Sequence, residues 1–324
     1  MSMMTTAAHR ERSTADDIVA IPLRRPWRWV SAVIVLFFAV ALVQSLAVNE
    51  NIHYDVVGQY LFDYRILNGV WLTIALTIAS MLVSTLLAII IASMRLSSNP
   101  VLQSVAWVYV WIFRGTPLLV QVVIWGYLGL LYSKIIIGVP FTNIVFAAFD
   151  TNTLIPALMA GFLALTLNQG AYSAEIVRAG MLSVDEGQRE AAYSLGMSPL
   201  RTFRRILLPQ AMRVIIPPMG NETISMLKNT SLLSVIAVLE LYTQATLISS
   251  QNLYQVELLI VISVWYLTMT SILSIPQYYL ERRFGRGSTR NLPPTPFQKV
   301  RRFFERFKKP VRTPSLETTE VRLP

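Results

Sequence analysis

Glu222, Lys228 and Arg114 are ionisable side chains set within long apolar runs. Each costs at least about 3 kcal/mol in hydrocarbon unless a partner or a watery cavity receives it. Asn168, Gln169, Tyr172 and Ser173 cluster late in one such run, with Asn168 and Tyr172 one helical turn apart on a common face. Asn221 precedes Glu222, and Asn229 follows Lys228. This mixture of donors and acceptors suits a zwitterionic solute and would be wasted on an apolar one. The alternative is purely architectural: hydrogen bonds to neighbouring helices, or neutralisation of Glu222 by Lys228. Acid–base catalysis by Glu175 or Glu222 is a third reading, but neither a nucleophile nor a metal constellation accompanies them. The chain has no cysteine, which excludes disulfides and thiolate metal sites, and His9 and His53 are its only histidines. No catalytic residue and no metal site is therefore assigned.

The composition says where these groups must work. The 324 residues are 54% hydrophobic and 14% charged, with a mean hydropathy of +0.50, too few charges to cover a soluble globule of this size. Several apolar stretches reach the roughly 20 residues needed to cross about 30 Å of hydrocarbon as a helix. They are continuous rather than alternating, which excludes a closed barrel. The net charge of +10 lies mainly at the two ends and between Arg189 and Arg213. That distribution marks cytoplasmic flanks rather than a nucleic-acid surface.

Six spans follow, giving an all-α integral membrane fold. A polar segment, 1–28, leads into an apolar run at Trp29–Val48, read as a retained helix rather than a secretory signal. Further spans are predicted at Val70–Ala92, Leu102–Leu131, Thr153–Glu175, a bent or broken Val214–Thr243, and Val256–Tyr279. Gly115 and Pro117, in Arg114-Gly-Thr-Pro117, permit a kink in the third. Tyr132 to Asn152, with Gly138, Pro140 and Asn143, reads as an external loop with an interfacial segment. Gly161, Ala164, Gly170, Ala171 and Ala174 suit close helix packing. Only Arg65 and Lys134 are basic on the far side, so both termini are predicted to be cytoplasmic. The tail, 285–324, alternates basic and aromatic residues near Phe297 to Phe307, as a helix on anionic lipid would.

Between the fourth and fifth spans lies a charged hairpin. Asp185 to Leu195 is a good helix former with acidic residues at its N-terminus, and Gly196 stops it. Ser198 is the expected cap of a second helix that has Pro199 in its first turn and carries Arg201, Arg204 and Arg205 before Pro209 interrupts the pattern. Ala191 and Ala192 are small enough for another protein to approach the backbone closely, and Glu190 offers a charge. A plain loop on lipid headgroups is the alternative.

Six motifs now stand in order: Arg114-Gly-Thr-Pro-Leu-Leu-Val-Gln121, Leu165-Thr-Leu-Asn-Gln-Gly-Ala-Tyr-Ser-Ala-Glu175, Gly187-Gln-Arg-Glu-Ala-Ala192, Leu208-Pro-Gln210, Gly220-Asn-Glu222 and Leu227-Lys-Asn-Thr-Ser-Leu232. Over about Asn68 to Phe284 the chain resembles the membrane permease subunits of bacterial ABC importers for polar amino acids, the histidine and glutamine permease family. The resemblance implies that the loop at about 185–208 is a coupling helix docking on a separate cytoplasmic ATPase dimer, with Glu190, Ala191, Ala192 and Gly196 as contact and corner residues. It also implies a second permease subunit, the same or similar, and an extracytoplasmic solute-binding protein, in the bacterial inner membrane. ATP and Mg would belong to the partner ATPase, since this chain has no G-x-x-x-x-G-K-[ST] pattern. Asn168, Asn221, Glu222, Lys228 and Asn229 are the candidates for the substrate pathway. Two departures stand out: position 229 is often Asp in relatives and is Asn here, and the segment before Asn68 adds a helix. An ABC permease for another small polar solute, an integral membrane enzyme and a membrane adaptor are the competing readings.

Overall fold

The computed structural model describes residues 27–139, 142 and 144–284. Expectations for 1–26, for Pro140 and Asn143 in the external loop, and for the basic tail fall outside the described residues. The chain divides into two units, 1–54 and 55–324. In the first, α1 (Trp27–Ala47) is a single apolar helix whose 19 residues from Trp29 to Ala47 are enough to cross a membrane. Tyr54 closes the turn after it by donating its hydroxyl to the Leu46 carbonyl at 2.6 Å.

The second unit runs through α2 (Tyr54–Leu61), α3 (Tyr64–Arg95), α4 (Pro100–Gly115), α5 (Leu118–Gly126), α6 (Leu128–Leu131), strands β1 (Lys134–Gly138) and β2 (Val145–Asp150), α7 (Thr151–Leu154) and α8 (Ala157–Leu182). It continues with α9 (Glu186–Ser194), α10 (Pro199–Thr202), α11 (Leu208–Asn229), α12 (Leu241–Asn252) and α13 (Gln255–Phe284). The long helix α3 is the axis, supplying residues to three buried clusters. Ile66 and Val70 meet α12 and α13, Leu76 and Met81 meet α5, α8 and α11, and Ala88 and Ile91 meet α4 and α8. Lipid removes the hydrophobic drive between helices, so close van der Waals approach must hold them. The small residues of α8 serve that approach: a Cβ at Gly170 would meet Leu87 Cδ2 and the Tyr109 hydroxyl, both at 2.8 Å. Tyr109 then ties α4 to α8 by donating to the Leu167 carbonyl at 2.6 Å.

Several expectations change in detail. Among the described residues three helices, α1, α3 and α13, are individually long and apolar enough to span, and up to five spans result if two bent pairs count as one each. The predicted fourth span lies four residues further along at its start, and α8 extends seven past Glu175 to Leu182. It falls outside that count because its polar residues lower its apolarity. The third run is not one rod: α4 and α5 meet at 100°, where Pro117 cannot continue the helix. The stretch predicted to be an external loop holds an antiparallel strand pair, Lys134 opposite Asp150 and Ile136 opposite Ala148. The fifth run breaks later than its prolines: Pro217 and Pro218 lie inside α11, and the turn comes after a 3-10 segment, Thr230–Ile236, at Ala237 with φ 56°.

Glu240, which sequence polarity did not single out, makes that turn possible. Fully buried, it caps α12, accepting from Tyr242 N at 3.0 Å, Thr243 N at 2.8 Å, Thr243 Oγ1 at 2.9 Å and the Tyr266 hydroxyl at 3.1 Å. Four donors satisfy a carboxylate that no water reaches.

Candidate functional site

The 100° break between α4 and α5 opens a cavity of about 470 Å³ against α8 and α11. Its lining includes Arg114 and Thr116 from the break, Asn168, Gln169 and Tyr172 from α8, and Glu222 and Asn229 from α11. The break itself is held by amides. Gln121 donates through Nε2 to the Phe113 carbonyl at 3.0 Å, the Thr116 carbonyl at 3.1 Å and Thr116 Oγ1 at 2.7 Å. Asn168 crosses from α8, donating to the Phe113 carbonyl at 2.9 Å and to Gln121 Oε1 at 3.2 Å. The carbonyls freed where the helix stops are thus partnered by side chains, which lets irregular backbone line a cavity at membrane depth.

Two charges of opposite sign face this space. Glu222 accepts from Gln169 Nε2 at 3.0 Å, and Gln169 also donates to Ser173 Oγ at 3.2 Å. Arg114 lies with its guanidinium carbon 5.1 Å from the Tyr172 ring centre, a cation–π contact that leaves its donors available. A carboxylate, a guanidinium and several amides can receive an ammonium and a carboxylate group at once.

Beside this cavity lies a second, of about 420 Å³, which shares Arg114, Gly115 and Tyr172 with the first and adds Arg95, Trp107, Trp111 and Glu175. Glu175 is held by Arg178, whose Nη2 lies 2.7 Å from Oε2, and more loosely by Arg95 at 3.7 Å. Of the polar residues near the end of α8, Tyr172 lines both cavities, Asn168 and Gln169 the first and Glu175 the second, while Ser173 is buried.

Of the predicted pathway residues, Asn168, Glu222 and Asn229 come together at the cavity, while Asn221 and Lys228 are outside its lining. Asn221 donates instead to Glu281 Oε1 at 3.3 Å, and Lys228 is exposed. Helical phase explains the division. Glu222 and Asn229 are seven residues apart and share a face, and Asn221 and Lys228 share another, turned by about 100°. Gln121 and Arg114 were not named as pathway residues; the signal for them was their place either side of a helix-breaking Gly-Thr-Pro.

The charged hairpin is two helices at a corner. Asp185 caps α9, accepting from Gly187 N at 2.7 Å. Gly196, at φ 72°, turns the chain, and its N–H donates to the Tyr193 carbonyl at 2.9 Å while Met197 N reaches the Ala192 carbonyl at 3.1 Å. That left-handed corner favours glycine. Ser198 stands at the N-cap of α10, but its side chain makes no capping bond. Pro209 does not end the helix, although the α pattern gives way to a π turn just before it. This π turn, Phe203–Leu207, carries α10 directly into α11, and its wider i→i+5 bonding lies where Pro209 supplies no N–H. Glu190, Ala191 and Gly196 are exposed, whereas Ala192 is buried against its own chain. Tyr193, Leu195 and Leu200 add an uncovered apolar face that was not singled out in the sequence, Leu195 being 82% exposed.

The model of the binding-protein-dependent transport system inner membrane component family matches residues 84–286. The chain belongs to that family. This permease is 49% identical over 284 residues to the arginine transport system permease protein ArgU of Corynebacterium glutamicum, across 86% of this chain and 88% of the relative. It is 39% identical to the L-cystine transport system permease protein TcyB of Bacillus subtilis, across 75% and 95% of the two chains. A crystal structure of an amino acid ABC transporter with histidines matches with a TM-score of 0.58 at 36% identity, covering 68% of this permease and 94% of that chain. The inward-facing MetNI methionine transporter shares the fold, with a TM-score of 0.51 at 16% identity over 68% and 97%. The family match begins within α3, so α1 and α2 precede it.

Proposed function

We propose that this permease is the transmembrane subunit of an ATP-driven importer of polar amino acids, working by alternating access in the bacterial inner membrane with both termini cytoplasmic. A cytoplasmic ATPase dimer, which binds ATP and Mg, docks at the corner formed by Glu190, Ala191, Ala192 and Gly196. A second permease subunit completes the pathway, and an extracytoplasmic binding protein delivers the solute. Nucleotide binding closes the ATPase dimer and shifts the population between outward- and inward-open states. In the cavity, Glu222 receives the solute's ammonium group, Arg114 its carboxylate, and Asn168 and Asn229 fix its orientation. The relatives' names, arginine and L-cystine permeases, support a solute bearing this zwitterionic head.

One observation carries the reading: the corner and the cavity share a single helical rod. From Pro199 through the π turn to Asn229 the backbone stays helical, so Glu222 and Asn229 sit on the same element that the α10 arm begins. Movement of the corner is movement of the cavity wall. The test is uptake of a panel of labelled amino acids by the complex reconstituted with its ATPase and binding protein. ATP-dependent uptake of at least one polar amino acid, abolished by Glu190→Ala and by Gly196→Val as single variants while the complex stays assembled, is expected. Uptake independent of ATP, or coupling unchanged in both variants, would refute the proposal.

A further inference from the structure

The strand pair between α6 and α7 takes no part in the cavities. Its stretch 135–149 contains no charged side chain, and the register partners Lys134 and Asp150 close its base. Successive strand residues face opposite sides, so a two-stranded sheet in water needs at least one polar face. Here both faces are apolar and, among the described residues, largely uncovered, with Ile135 and Ala147 partly buried. Ile137 and Phe149 are 55% and 45% exposed on one, Ile136 is 59% exposed on the other beside Ala148, and Phe146 at the bulge is 72% exposed. The apolar surface continues into the flanking helices, through Leu130, Leu131 and Tyr132 before the strands and Leu154 and Leu158 after them.

An isolated strand pair is marginal in water, and a rigid protein partner would cover only one of its faces. A lipid boundary covers both. The open strand edges set the depth, because unpaired N–H and C=O groups are not tolerated in the hydrocarbon core but find water and headgroups at its border. Tyr132 at the entrance and the Lys134–Asp150 pair have the amphipathic character of that border. We propose that the β1–β2 hairpin lies in the membrane's headgroup–acyl boundary, on the side of the bundle opposite the α9–α10 corner, with phospholipid as its partner.

The absence of native cysteine allows a direct test. Ile136→Cys and Ile137→Cys, adjacent residues on opposite faces, are labelled singly with bimane in the full chain. Each is reconstituted in phosphatidylcholine–phosphatidylglycerol vesicles whose lipids are brominated either near the headgroup or at mid-chain. Expected is a blue-shifted emission for both probes, quenched more by the shallow bromines than by the deep ones. If Ile136→Cys or Ile137→Cys does not accumulate, Ala148→Cys and Phe149→Cys report the same two faces. Aqueous emission without quenching at both sites, as for a hairpin awaiting a soluble protein, overturns the proposal. So does quenching of one face alone, or stronger quenching by the deep bromines.

Discussion

Among the described residues the Glu222 carboxylate accepts from a neutral amide, Gln169, and that imbalance sets the sharpest expectation at the residue scale. Glu222→Gln keeps the size of the side chain and a partner for Gln169 but removes the charge. Hydrogen bonds to ionised groups are roughly twice as strong as neutral ones, a difference of about 1.5 kcal/mol, so the KM for amino-acid uptake should rise about tenfold. Lys228→Met lies outside the cavity lining and should move the same KM by less than about threefold. Equal effects from the two substitutions would mean that the cavity is not the solute's route. Asn229 permits the converse experiment. Asn229→Asp adds an anion on the Glu222 face without changing shape, so uptake in competition should shift about tenfold toward cationic over neutral amino acids. An unchanged preference would remove position 229 from the site.

At the scale of elements, two short-range devices are open to measurement. Asp63 caps α3, accepting from Arg65 N at 2.8 Å. The hydrogen bond from the Arg65 side chain holds its carboxyl below the ordinary value, against a smaller opposing effect of burial. A lowered folded-state value gives stability that is complete above the unfolded value, near about 4, and is lost as pH falls through the folded one. Thermal midpoints in detergent should therefore fall less steeply in acid for Asp63→Asn than for the parent, and Asp63→Ala should cost about 1 kcal/mol at neutral pH. Gly196→Val forces a β-branched residue into the left-handed region at about 1–2 kcal/mol. It should leave insertion intact while ATP hydrolysis continues without uptake. The corner was legible in the sequence, because Asp185, Gly196 and Pro199 write it in a few neighbouring residues; the Asp63 cap, read from the structure, was not singled out. The kink at Gly115–Pro117 was legible, but not its 100°, which depends on Gln121 and Asn168 reaching across from separate segments. Glu240 was not legible as a cap because glutamate is not among the favoured N-cap residues and its burial depends on packing against α13, where Tyr266 donates to it. The strands of the hairpin were hidden in a run whose apolar residues fall on both faces and so show no alternation.

For the whole molecule, what matters is whether the corner and the cavity move together. The rod from Pro199 to Asn229 is roughly 45 Å long at 1.5 Å per residue, long enough to join a cytoplasmic surface to mid-membrane. It is interrupted at the π turn, Phe203–Leu207, where the backbone departs from α geometry, and it carries Pro217 and Pro218 further along. Inserting Gly-Gly between Leu207 and Leu208 would leave α9, α10 and their exposed docking face intact yet make the rod a hinge. Three measurements on the reconstituted complex then separate transmission from assembly. Co-purification of the ATPase and ATP hydrolysis should persist, and uptake should fall at least about tenfold, since a flexible joint transmits neither rotation nor push. Uptake that survives the insertion would mean that the signal travels through another contact, such as the 3.4 Å bond from Gln210 to Gln188 that ties α11 back to α9. In that event Gln188→Ala, added to the insertion, should abolish the remaining transport.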